Sequence, residues 1–310
     1  MGEPRTLGRS IDERYGLALR ILVTGGSGLV GAEVCELGIR EGHEVFAGFL
    51  SNQPQHGRPT ILDLSKPGIL EEIRAVSPEL IIHTGGLTDV DRCEQEAELA
   101  ERVNGTATGE IAKAARILGA HVTYVSTDYV FDGEAGNYDE TAKPNPVSQY
   151  GRSKLFGERL LSETGGDYCI ARPSVIYGWG RSWRPNYALF VVKALEEKRE
   201  VKAADDMYCS PTLNTSLAQM LLELSTRRLT GVFHVAGATR TSRLDFAKEI
   251  AAEFSLNPSG IIRVDSRMLN LRARRPHDSS LSIGKAARML NAKPLKLSEA
   301  LRLFHKTRPS

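Results

Sequence analysis

The segment ILVTGGSGLVG, residues 21–31, decides the fold. A short apolar run leads into a glycine-dense turn, and the turn opens into a helix with an apolar face. The first turn of a helix offers backbone N–H groups and the positive end of the helix dipole, and glycines let the backbone approach an anion closely. The segment therefore predicts a strand, a phosphate-binding turn and a helix, although an ordinary strand-to-helix turn is also compatible with it.

The glycines of this turn follow the spacing G-x-x-G-x-x-G. That spacing is one residue longer than the G-x-G-x-x-G fingerprint of many dinucleotide-binding turns. We expect the turn to hold the phosphates of a nucleotide cofactor. The residues predicted to contact that cofactor are Gly25, Ser27, Gly28, Leu29, Val30 and Gly31.

The composition argues against several classes of protein. The 310 residues carry a formal net charge of +2, whereas a dedicated nucleic-acid or membrane-surface binder usually carries a basic excess. No apolar run reaches the roughly 18 residues of a membrane helix, and the N-terminus lacks the apolar segment of a signal peptide. The four cysteines are scattered without metal-ligand spacing, which favours reduced thiols over disulfides or a zinc site. We expect a cytoplasmic protein that binds no nucleic acid, no membrane and no catalytic metal ion.

Strand and helix signals alternate after residue 18, which predicts a parallel sheet covered by helices on both faces. After the first strand, strands are predicted at 43–49, 60–64, 80–83, 121–126, 168–172 and 232–235. Helices are predicted at 29–41, 67–75, 94–118, 148–162, 187–197, 216–226, 243–254, 284–290 and 297–304.

The regular alternation loosens beyond Pro173, so two domains are expected. The predicted fold class is α/β, a doubly wound, Rossmann-type parallel sheet with a smaller, interwoven α/β substrate domain. Residues 1–18 are polar and aperiodic and are predicted to form a mobile extension. The dinucleotide-binding domain is predicted to comprise 19–172 together with 212–237, and the substrate domain 173–211 and 238–310.

Tyr150 and Lys154 form a Y-x-x-x-K motif on the predicted helix 148–162. Residues four apart lie on one helix face, so the Lys154 ammonium can lower the pKa of the Tyr150 phenol, which suits proton transfer to a carbonyl oxygen. In isolation a surface pair would have the same spacing. The sequence STD at 126–128 adds hydroxyl groups at the same predicted edge of the sheet, and this coincidence favours a catalytic site.

Three motifs together resemble the extended short-chain dehydrogenase/reductases: TGGSGLVG, the hydroxyl site in YVSTDYVFDG, and YGRSK. The run STDYVFDG, followed by RPSVIYG and by SPT at 210–212, is similar to the dTDP-4-dehydrorhamnose reductases. The resemblance covers nearly the whole chain after the extension. It implies NADPH-dependent reduction of the C4 keto group of a nucleotide-linked 4-keto-6-deoxy sugar, with dTDP-4-dehydro-L-rhamnose to dTDP-L-rhamnose as the leading reaction.

The resemblance also implies roles for the matched residues. Tyr150 would donate a proton to the C4 oxygen, Lys154 would lower the pKa of Tyr150 and hold the nicotinamide ribose, and Thr127 would polarise the carbonyl. Thr127 is preferred to Ser126 because it matches the Thr-Asp pair of the family. The other matched positions are Asp63 and Leu64 at the adenine, Gly85, Gly86 and Leu87 over the cofactor, and Thr88, Asp128 and Tyr129 at the substrate.

For Asp63 and for a further candidate, Arg275, a structural role is as compatible with the sequence as a binding role. Asp63 could instead cap the helix that follows it. Arg275, in an arginine-rich loop near the C-terminus, could clamp the diphosphate of the substrate through bidentate hydrogen bonds, or the loop could be a solvated basic surface.

The cofactor prediction depends on the end of the second strand. NAD-selective folds place an acidic residue there to bond the ribose 2′-OH, whereas this chain has GFLSN at 48–52, with Arg58 beyond. Because no carboxylate would repel a 2′-phosphate, NADP(H) is preferred, and the use of NAD(H) stays open. A Mg²⁺ requirement and a homodimer also stay open.

The chain departs from the family at two places. Val175 stands where the family has a sugar-stacking tryptophan, and Trp179 or Trp183 could take over that contact. Gly85 and Gly86 stand where the family usually has alanines. These departures leave the identity of the sugar open.

Two other functions are compatible with the sequence. The regulatory β subunit of methionine adenosyltransferase shares this fold and much of the SDYVFDG region, so a non-catalytic NADP-binding subunit of such a synthetase is one alternative. A nucleotide-sugar epimerase or dehydratase of the same superfamily is the other, and those enzymes usually carry the acidic residue that is missing here.

Overall fold

The computed structural model describes residues 18–180 and 186–309. The predicted extension, apart from its last residue, and Trp183 lie outside the described residues. The strands are β1 (Arg20–Thr24), β2 (Glu44–Phe49), β3 (Arg58–Ile61), β4 (Leu80–His83), β5 (His121–Val125), β6 (Tyr168–Arg172), β7 (Ile176–Tyr177), β8 (Val201–Ala204), β9 (Tyr208–Cys209), β10 (Thr212–Leu213), β11 (Gly231–His234), β12 (Thr241–Ser242) and β13 (Ile261–Val264).

The helices alternate with the strands through most of the chain. They are α1 (Gly31–Arg40), α2 (Leu70–Val76), α3 (Val90–Gln95), α4 (Ala97–Ala100), α5 (Ala107–Leu118), α6 (Gln149–Glu163), α7 (Tyr187–Glu196), α8 (Asn214–Thr226), α9 (Arg243–Glu253), α10 (Gly284–Met289) and α11 (Leu297–Lys306).

Seven strands form one parallel sheet in the order β11-β6-β5-β4-β1-β2-β3. The strand β1 is central, and Thr24 at its end pairs with Gly48 of β2 on one side and with His83 of β4 on the other. The chain therefore winds outward in both directions from β1, and the strand ends at this switch point form the crevice where such sheets bind ligands. The predicted doubly wound parallel sheet is confirmed.

Helices cover both faces of the sheet and bury its aliphatic side chains. On one face, Val34 of α1 and Leu217 of α8 pack into a cluster with Val23 of β1. On the other face, Ile73 of α2 and Ile111 of α5 pack with neighbouring strand residues in a second cluster. Strands buried on both faces are nearly continuous apolar runs, which explains why the sequence predicts them well.

The segment predicted as one long helix, 94–118, is divided in the structure. The backbone bends at Glu96, where φ is −121° and ψ is 57°, and residues 101–106 form a π-helical turn before α5. A π-helical turn inserts one extra residue and rotates the side chains that follow it. The Asn104 side chain in this turn is buried and forms hydrogen bonds with Leu87 and Ser153. Because of the bend and the π-helical turn, the prediction of a continuous helix is wrong.

The C-terminal half adds three two-stranded sheets and a core of its own. The pairs are β7 with β10, β8 with β13 and β9 with β12. The helices α7, α9 and α11 enclose a cluster that includes Tyr177, Phe246 and Phe304. Strand β11 leaves this half to pair with β6 in the main sheet. The division into two domains stays a prediction.

A buried ion pair joins α6 to β6. The guanidinium of Arg172 donates two hydrogen bonds to the carboxylate of Glu158, at 2.9 and 2.6 Å, and the Ser126 hydroxyl donates to the same carboxylate at 2.5 Å. Both charged side chains are about 95% shielded from solvent, with 4% and 5% exposed. The Ser126 side chain is therefore committed to this pair.

The buried side chain of His83 forms hydrogen bonds with residues next to the glycine turn. Nδ1 of His83 lies 2.6 Å from the Thr24 hydroxyl, and its Nε2 lies 3.1 Å from the Thr108 hydroxyl. The Thr24 hydroxyl also accepts the Gly85 N–H at 3.1 Å. Burial and, to a smaller extent, the charge of Lys154 lower the pKa of His83 to about 3, so its ring is neutral near pH 7.

Within the described ranges, no helix has the length and apolar character needed to span a bilayer.

We predict that Gly157→Ala destabilises the protein although alanine is the better helix former. A Cβ at this position would lie 2.4 Å from the carbonyl oxygen of Asn104 and 2.7 Å from the Tyr124 hydroxyl, so α6 would have to move. Overpacking of this kind lowers the free energy of unfolding by about 1–3 kcal/mol. The higher helix propensity of alanine offsets only ~1 kcal/mol of this loss. Urea unfolding measures the change, and Gly166→Ala, whose Cβ would have 3.8 Å to its nearest neighbour, is the matched control. Equal stability of the Gly157 variant and the wild type would contradict the close contact.

We predict that stability falls as the pH drops below about 6.5 and that His83→Gln reduces this dependence. Between pH 6.5 and 3 the unfolded chain binds a proton at His83 that the folded chain does not, because the folded pKa is about 3. This difference is worth about 2 kcal/mol at pH 5. Burial of His234 lowers its pKa to about 4 and acts in the same direction, so the slope should decrease without vanishing. Unfolding free energies at several pH values measure it, with the exposed His277→Gln as control, and an unchanged slope in the His83 variant would refute the assignment.

Candidate active site

A cavity of about 740 Å³ opens at the carboxyl edge of the sheet. The glycine turn after β1 lines one end, and residues that follow β2 and β4 line its sides. The first turn of α6, the end of β5 and the loop after β6 form the rest of the wall together with Arg243 of α9. The cavity therefore lies at the switch point of the sheet, where parallel α/β folds bind their ligands.

The glycine turn fits a phosphate group. The backbone φ of Gly25 is +68°, a value that residues other than glycine rarely adopt. A Cβ at Gly31 would lie 2.2 Å from the Gly25 carbonyl oxygen. The residue before α1 is Val30, whose side chain makes no capping hydrogen bond to the first turn of the helix. The lack of side chains at its glycines and the positive end of the helix dipole suit this turn to the phosphates of a dinucleotide.

The end of β2 presents uncharged side chains to the cavity. Leu50, Ser51 and Asn52 line it, and no carboxylate stands among them. Arg58 points elsewhere, since it forms an ion pair with Glu44 at 2.8 Å on the exposed side of β3. Selectivity for a 2′-phosphate would therefore depend on the residues at 50–52 and on the lack of a repelling charge.

The predicted contacts around the cofactor divide into two groups. Leu64, Gly85 and Gly86 line the cavity. The Asp63 carboxylate instead accepts hydrogen bonds from the backbone N–H and the hydroxyl of Ser65, at 3.0 and 2.5 Å, so it caps the local turn. The Leu87 backbone is held by Asn104 and does not line the cavity.

Tyr150 and Lys154 lie side by side in the cavity wall, as their helical spacing requires. The Lys154 ammonium donates to the Val125 carbonyl at 2.7 Å and lies 4.2 Å from the centre of the Tyr124 ring. Burial lowers the pKa of Lys154 to about 7. Burial raises the pKa of Tyr150, and the neighbouring Thr127 hydroxyl opposes that rise. Lys154 is not among the main causes of this shift, so the lowering of the Tyr150 pKa by Lys154 stays a prediction.

Thr127 presents its hydroxyl at the end of β5, on the cavity wall. Its Oγ1 accepts the Tyr129 N–H at 3.2 Å and lies 3.1 Å from Asp128 Oδ1, to which it donates. Ser126 also lines the cavity, but its hydroxyl donates to Glu158. Of the two neighbouring hydroxyls, the one on Thr127 is thus the one adjacent to Tyr150.

Asp128 connects the two halves of the chain. Its carboxylate accepts the Ser174 hydroxyl at 2.7 Å and the Ser279 hydroxyl at 2.5 Å. Burial raises its pKa, while these hydroxyls and the charge of Arg243 oppose the rise. The sequence predictions contained neither serine as a site residue, and Ser279 carries no motif that could have indicated it.

Asn104 joins the loop after β4 to helix α6. Its side-chain amide accepts the Leu87 N–H at 2.8 Å, donates to the Leu87 carbonyl at 3.0 Å and donates to the Ser153 hydroxyl at 3.0 Å. Ser153 directly precedes Lys154 and donates to the Tyr150 carbonyl at 2.9 Å. Sequence reasoning missed this residue, because its role depends on the π-helical turn.

Two other predicted contacts lie away from the cavity. Arg275 forms an ion pair with Asp91 at 3.0 Å, so its role as a substrate contact stays a prediction. Trp179 packs on Phe304 with ring centres 4.4 Å apart and donates its indole N–H to the Phe304 carbonyl, so it belongs to the second core. Val175 remains in the cavity wall, with a positive φ of 38°.

The structure thus gathers most of the predicted site around one cavity. The predicted residues that line it are Gly25, Ser27, Gly28, Leu29, Val30, Gly31, Leu64, Gly85, Gly86, Thr88, Thr127, Asp128, Tyr129, Tyr150 and Lys154. Their roles stay predictions. Across residues 18–180 and 186–309, no group of three or more His, Cys, Asp or Glu side chains is arranged to hold a metal ion.

Comparisons with known proteins agree with this architecture. The RmlD substrate binding domain family matches residues 19–308. The dTDP-4-dehydrorhamnose reductase of Burkholderia thailandensis is 32% identical over 281 residues, which cover 85% of this chain and 90% of that protein. Methionine adenosyltransferase 2 subunit beta of Rattus norvegicus is 28% identical over 273 residues, covering 86% of this chain and 81% of that protein.

A solved structure has the same fold. The dTDP-4-dehydrorhamnose reductase of Bacillus anthracis, determined in complex with NADP, superimposes with a TM-score of 0.85 at 27% sequence identity, covering 94% of this chain and 100% of that one. The resemblance read from the sequence motifs is confirmed. The chain belongs to the RmlD family, the family of dTDP-4-dehydrorhamnose reductase-like proteins.

Proposed function

We propose that this protein is an NADPH-dependent reductase of the C4 keto group of a nucleotide-linked 4-keto-6-deoxy sugar. The leading substrate is dTDP-4-dehydro-L-rhamnose, and the product would be dTDP-L-rhamnose. The observation that carries the proposal is the meeting of a phosphate-binding glycine turn with Thr127, Tyr150 and Lys154 in one cavity. Family membership supports it, since relatives of similar length are named as reductases of this kind.

The chain would supply the proton and the polarising groups of the reaction. When bound, NADPH supplies a hydride to the carbonyl carbon. Burial keeps Tyr150 protonated at neutral pH, which is the form a proton donor needs. Thr127, which stands beside Tyr150, would donate its hydroxyl to the carbonyl oxygen after turning it away from Asp128.

Lys154 is suited to hold a proton behind Tyr150. Its pKa of about 7 means that it exchanges protons near neutral pH, whereas an exposed lysine stays charged. Its ammonium is fixed by the Val125 carbonyl, so it stays within the cavity wall. We propose that it contacts the nicotinamide ribose and restores the Tyr150 proton after transfer.

The cofactor site favours NADPH. Ser51 and Asn52 line the cavity after β2 and can donate hydrogen bonds to a 2′-phosphate, and no carboxylate there would repel it. The NADP complex of the Bacillus anthracis reductase supports the same preference. NADH could also bind, because the uncharged side chains after β2 do not exclude a ribose 2′-hydroxyl.

A second candidate function follows from the similarity to methionine adenosyltransferase 2 subunit beta. In that case the chain would bind NADP(H) and a synthetase without turning over a sugar. An epimerase or dehydratase would instead keep NAD⁺ bound and cause no net NADPH oxidation. The assays below separate these functions from the reductase.

We predict Tyr150-dependent oxidation of NADPH when dTDP-4-dehydro-L-rhamnose is added, followed by absorbance. Tyr150→Phe should keep NADPH binding and lower turnover by about 10²–10⁴-fold, the usual contribution of a positioned general acid. Tyr168→Phe, on β6 and outside the cavity, is the matched control and should retain turnover.

Near-normal turnover of Tyr150→Phe would eliminate its role as the proton donor. A wild type that binds NADPH without oxidising it, and that forms a stable complex with a methionine adenosyltransferase catalytic subunit, would replace the reductase by the regulatory function.

We predict that Ser51→Asp weakens NADPH binding about tenfold or more and changes NADH binding little. The new carboxylate would face the 2′-phosphate, and a like-charge contact of 1.4 kcal/mol already corresponds to about a factor of ten. Titration calorimetry with each cofactor measures the effect. Gln53→Asp places the same charge on the same loop outside the cavity and should leave both affinities unchanged; equal effects of the two variants on NADPH would contradict a 2′-phosphate site at Ser51.

A further inference from the structure

Arg243, the first residue of α9, directs an unpaired guanidinium into the wall of the main cavity. Its backbone is fixed, because its N–H donates to the Met207 carbonyl at 2.9 Å and its carbonyl accepts the Tyr187 hydroxyl at 2.9 Å. The guanidinium carbon lies 4.9 Å from the centre of the Tyr187 ring. With the other described residues it makes no side-chain hydrogen bond and no ion pair.

The other charged side chains of the cavity wall already have partners. Lys154 donates to the Val125 carbonyl, and Asp128 accepts three hydroxyl groups. The Asp89 carboxylate accepts the Arg92 N–H at the start of α3. Arg243 differs from these groups because the ring contact satisfies none of its five N–H donors.

A half-buried guanidinium without a partner favours a bound anion. Removing a charge from water costs free energy unless hydrogen bonds or an opposite charge compensate. The planar fork of arginine matches the two oxygens of a carboxylate or phosphate, and such charge-assisted hydrogen bonds are among the strong ones. The charge of Asp128 acts on Arg243 but satisfies none of its N–H donors, and a bound oxyanion would do so.

The position of Arg243 points to the substrate and not to the cofactor. It comes from the C-terminal half, whereas the glycine turn that suits the cofactor phosphates belongs to β1 and α1. Its charge acts on Asp128 and Tyr129, which adjoin the catalytic group. The Tyr129 ring lies 5.9 Å from the Tyr150 ring. The guanidinium is thus near the reacting end of the cavity.

We propose that Arg243 is a specificity-determining residue that binds an oxyanion of the substrate. Two sources fit this chemistry: the diphosphate that joins nucleoside and sugar, and a carboxylate on the sugar itself, which would replace the 6-deoxy sugar of the proposed function. The proposal rests on one part of the proposed function, namely that the ligand is a nucleotide sugar. It transfers to Arg243 the anion-binding role predicted for Arg275, whose guanidinium is paired with Asp91.

Binding measurements test the proposal without any turnover. Titration calorimetry, with NADP⁺ present, would compare dTDP, UDP-glucuronate and UDP-glucose on the wild type, Arg243→Gln and Arg243→Lys. Arg240→Gln is the matched control, since Arg240 also lies over a tyrosine ring, 3.8 Å from the centre of Tyr208, but pairs with Asp278 and does not line the cavity.

If Arg243 binds the diphosphate, Arg243→Gln should weaken dTDP binding by about 10- to 100-fold, the range of a charge-assisted hydrogen bond. If it binds a sugar carboxylate, dTDP affinity should persist and the preference for UDP-glucuronate over UDP-glucose should be lost. In both cases Arg243→Lys should recover part of the effect, and NADP⁺ affinity and the Arg240 variant should match the wild type.

The proposal is overturned if Arg243→Gln leaves both dTDP affinity and the acid-sugar preference unchanged, or if the wild type binds none of the three nucleotides. A lack of NADPH oxidation with a 4-keto sugar would count against the proposed reaction alone, because no step of this test depends on turnover.

Discussion

The amide of Asn104 is the constraint on which the geometry of the site depends. It binds the backbone of Leu87 in both directions and reaches Ser153, so the loop after β4 and the helix that carries Tyr150 and Lys154 form one unit. The π-helical turn aims this side chain, and Gly157 lets α6 approach the Asn104 carbonyl. These features let α6 and the loop after β4 lie close together.

Much of the fold could be predicted because it depends on local signals. Parallel strands buried on both faces are short apolar runs, and the alternation of strand and helix leads directly to a doubly wound sheet. The glycine turn and Y-x-x-x-K are similarly local, since adjacent residues fix the spacing of their functional groups. The preference for Thr127 over Ser126 stays a prediction: both residues line the cavity, and the Ser126 hydroxyl donates to Glu158.

The remaining features depend on contacts between distant parts of the chain. The bend at Glu96 occurs among good helix formers, so no local signal marked it. The π-helical turn contains the weak helix formers Asn104 and Gly105, but the helical pattern on either side of it predicted an uninterrupted helix. Ser279 meets Asp128 across 151 positions of sequence. Arg243 looks like any helix-initiating surface residue until α9 is packed beside the cavity. The short strands of the C-terminal half were missed because strands of two to four residues show little periodicity and form by pairing with distant parts of the chain.

The ion pair between Glu158 and Arg172 limits how this protein can change. Replacing a buried pair by apolar residues of similar volume is often neutral, whereas removing one partner typically costs 3–5 kcal/mol. Losing a single partner would consume a large part of the 5–15 kcal/mol by which domains are usually stable. Descendants of this sequence should therefore keep both residues or exchange both together, and a library that varies these positions one at a time would miss the viable replacements.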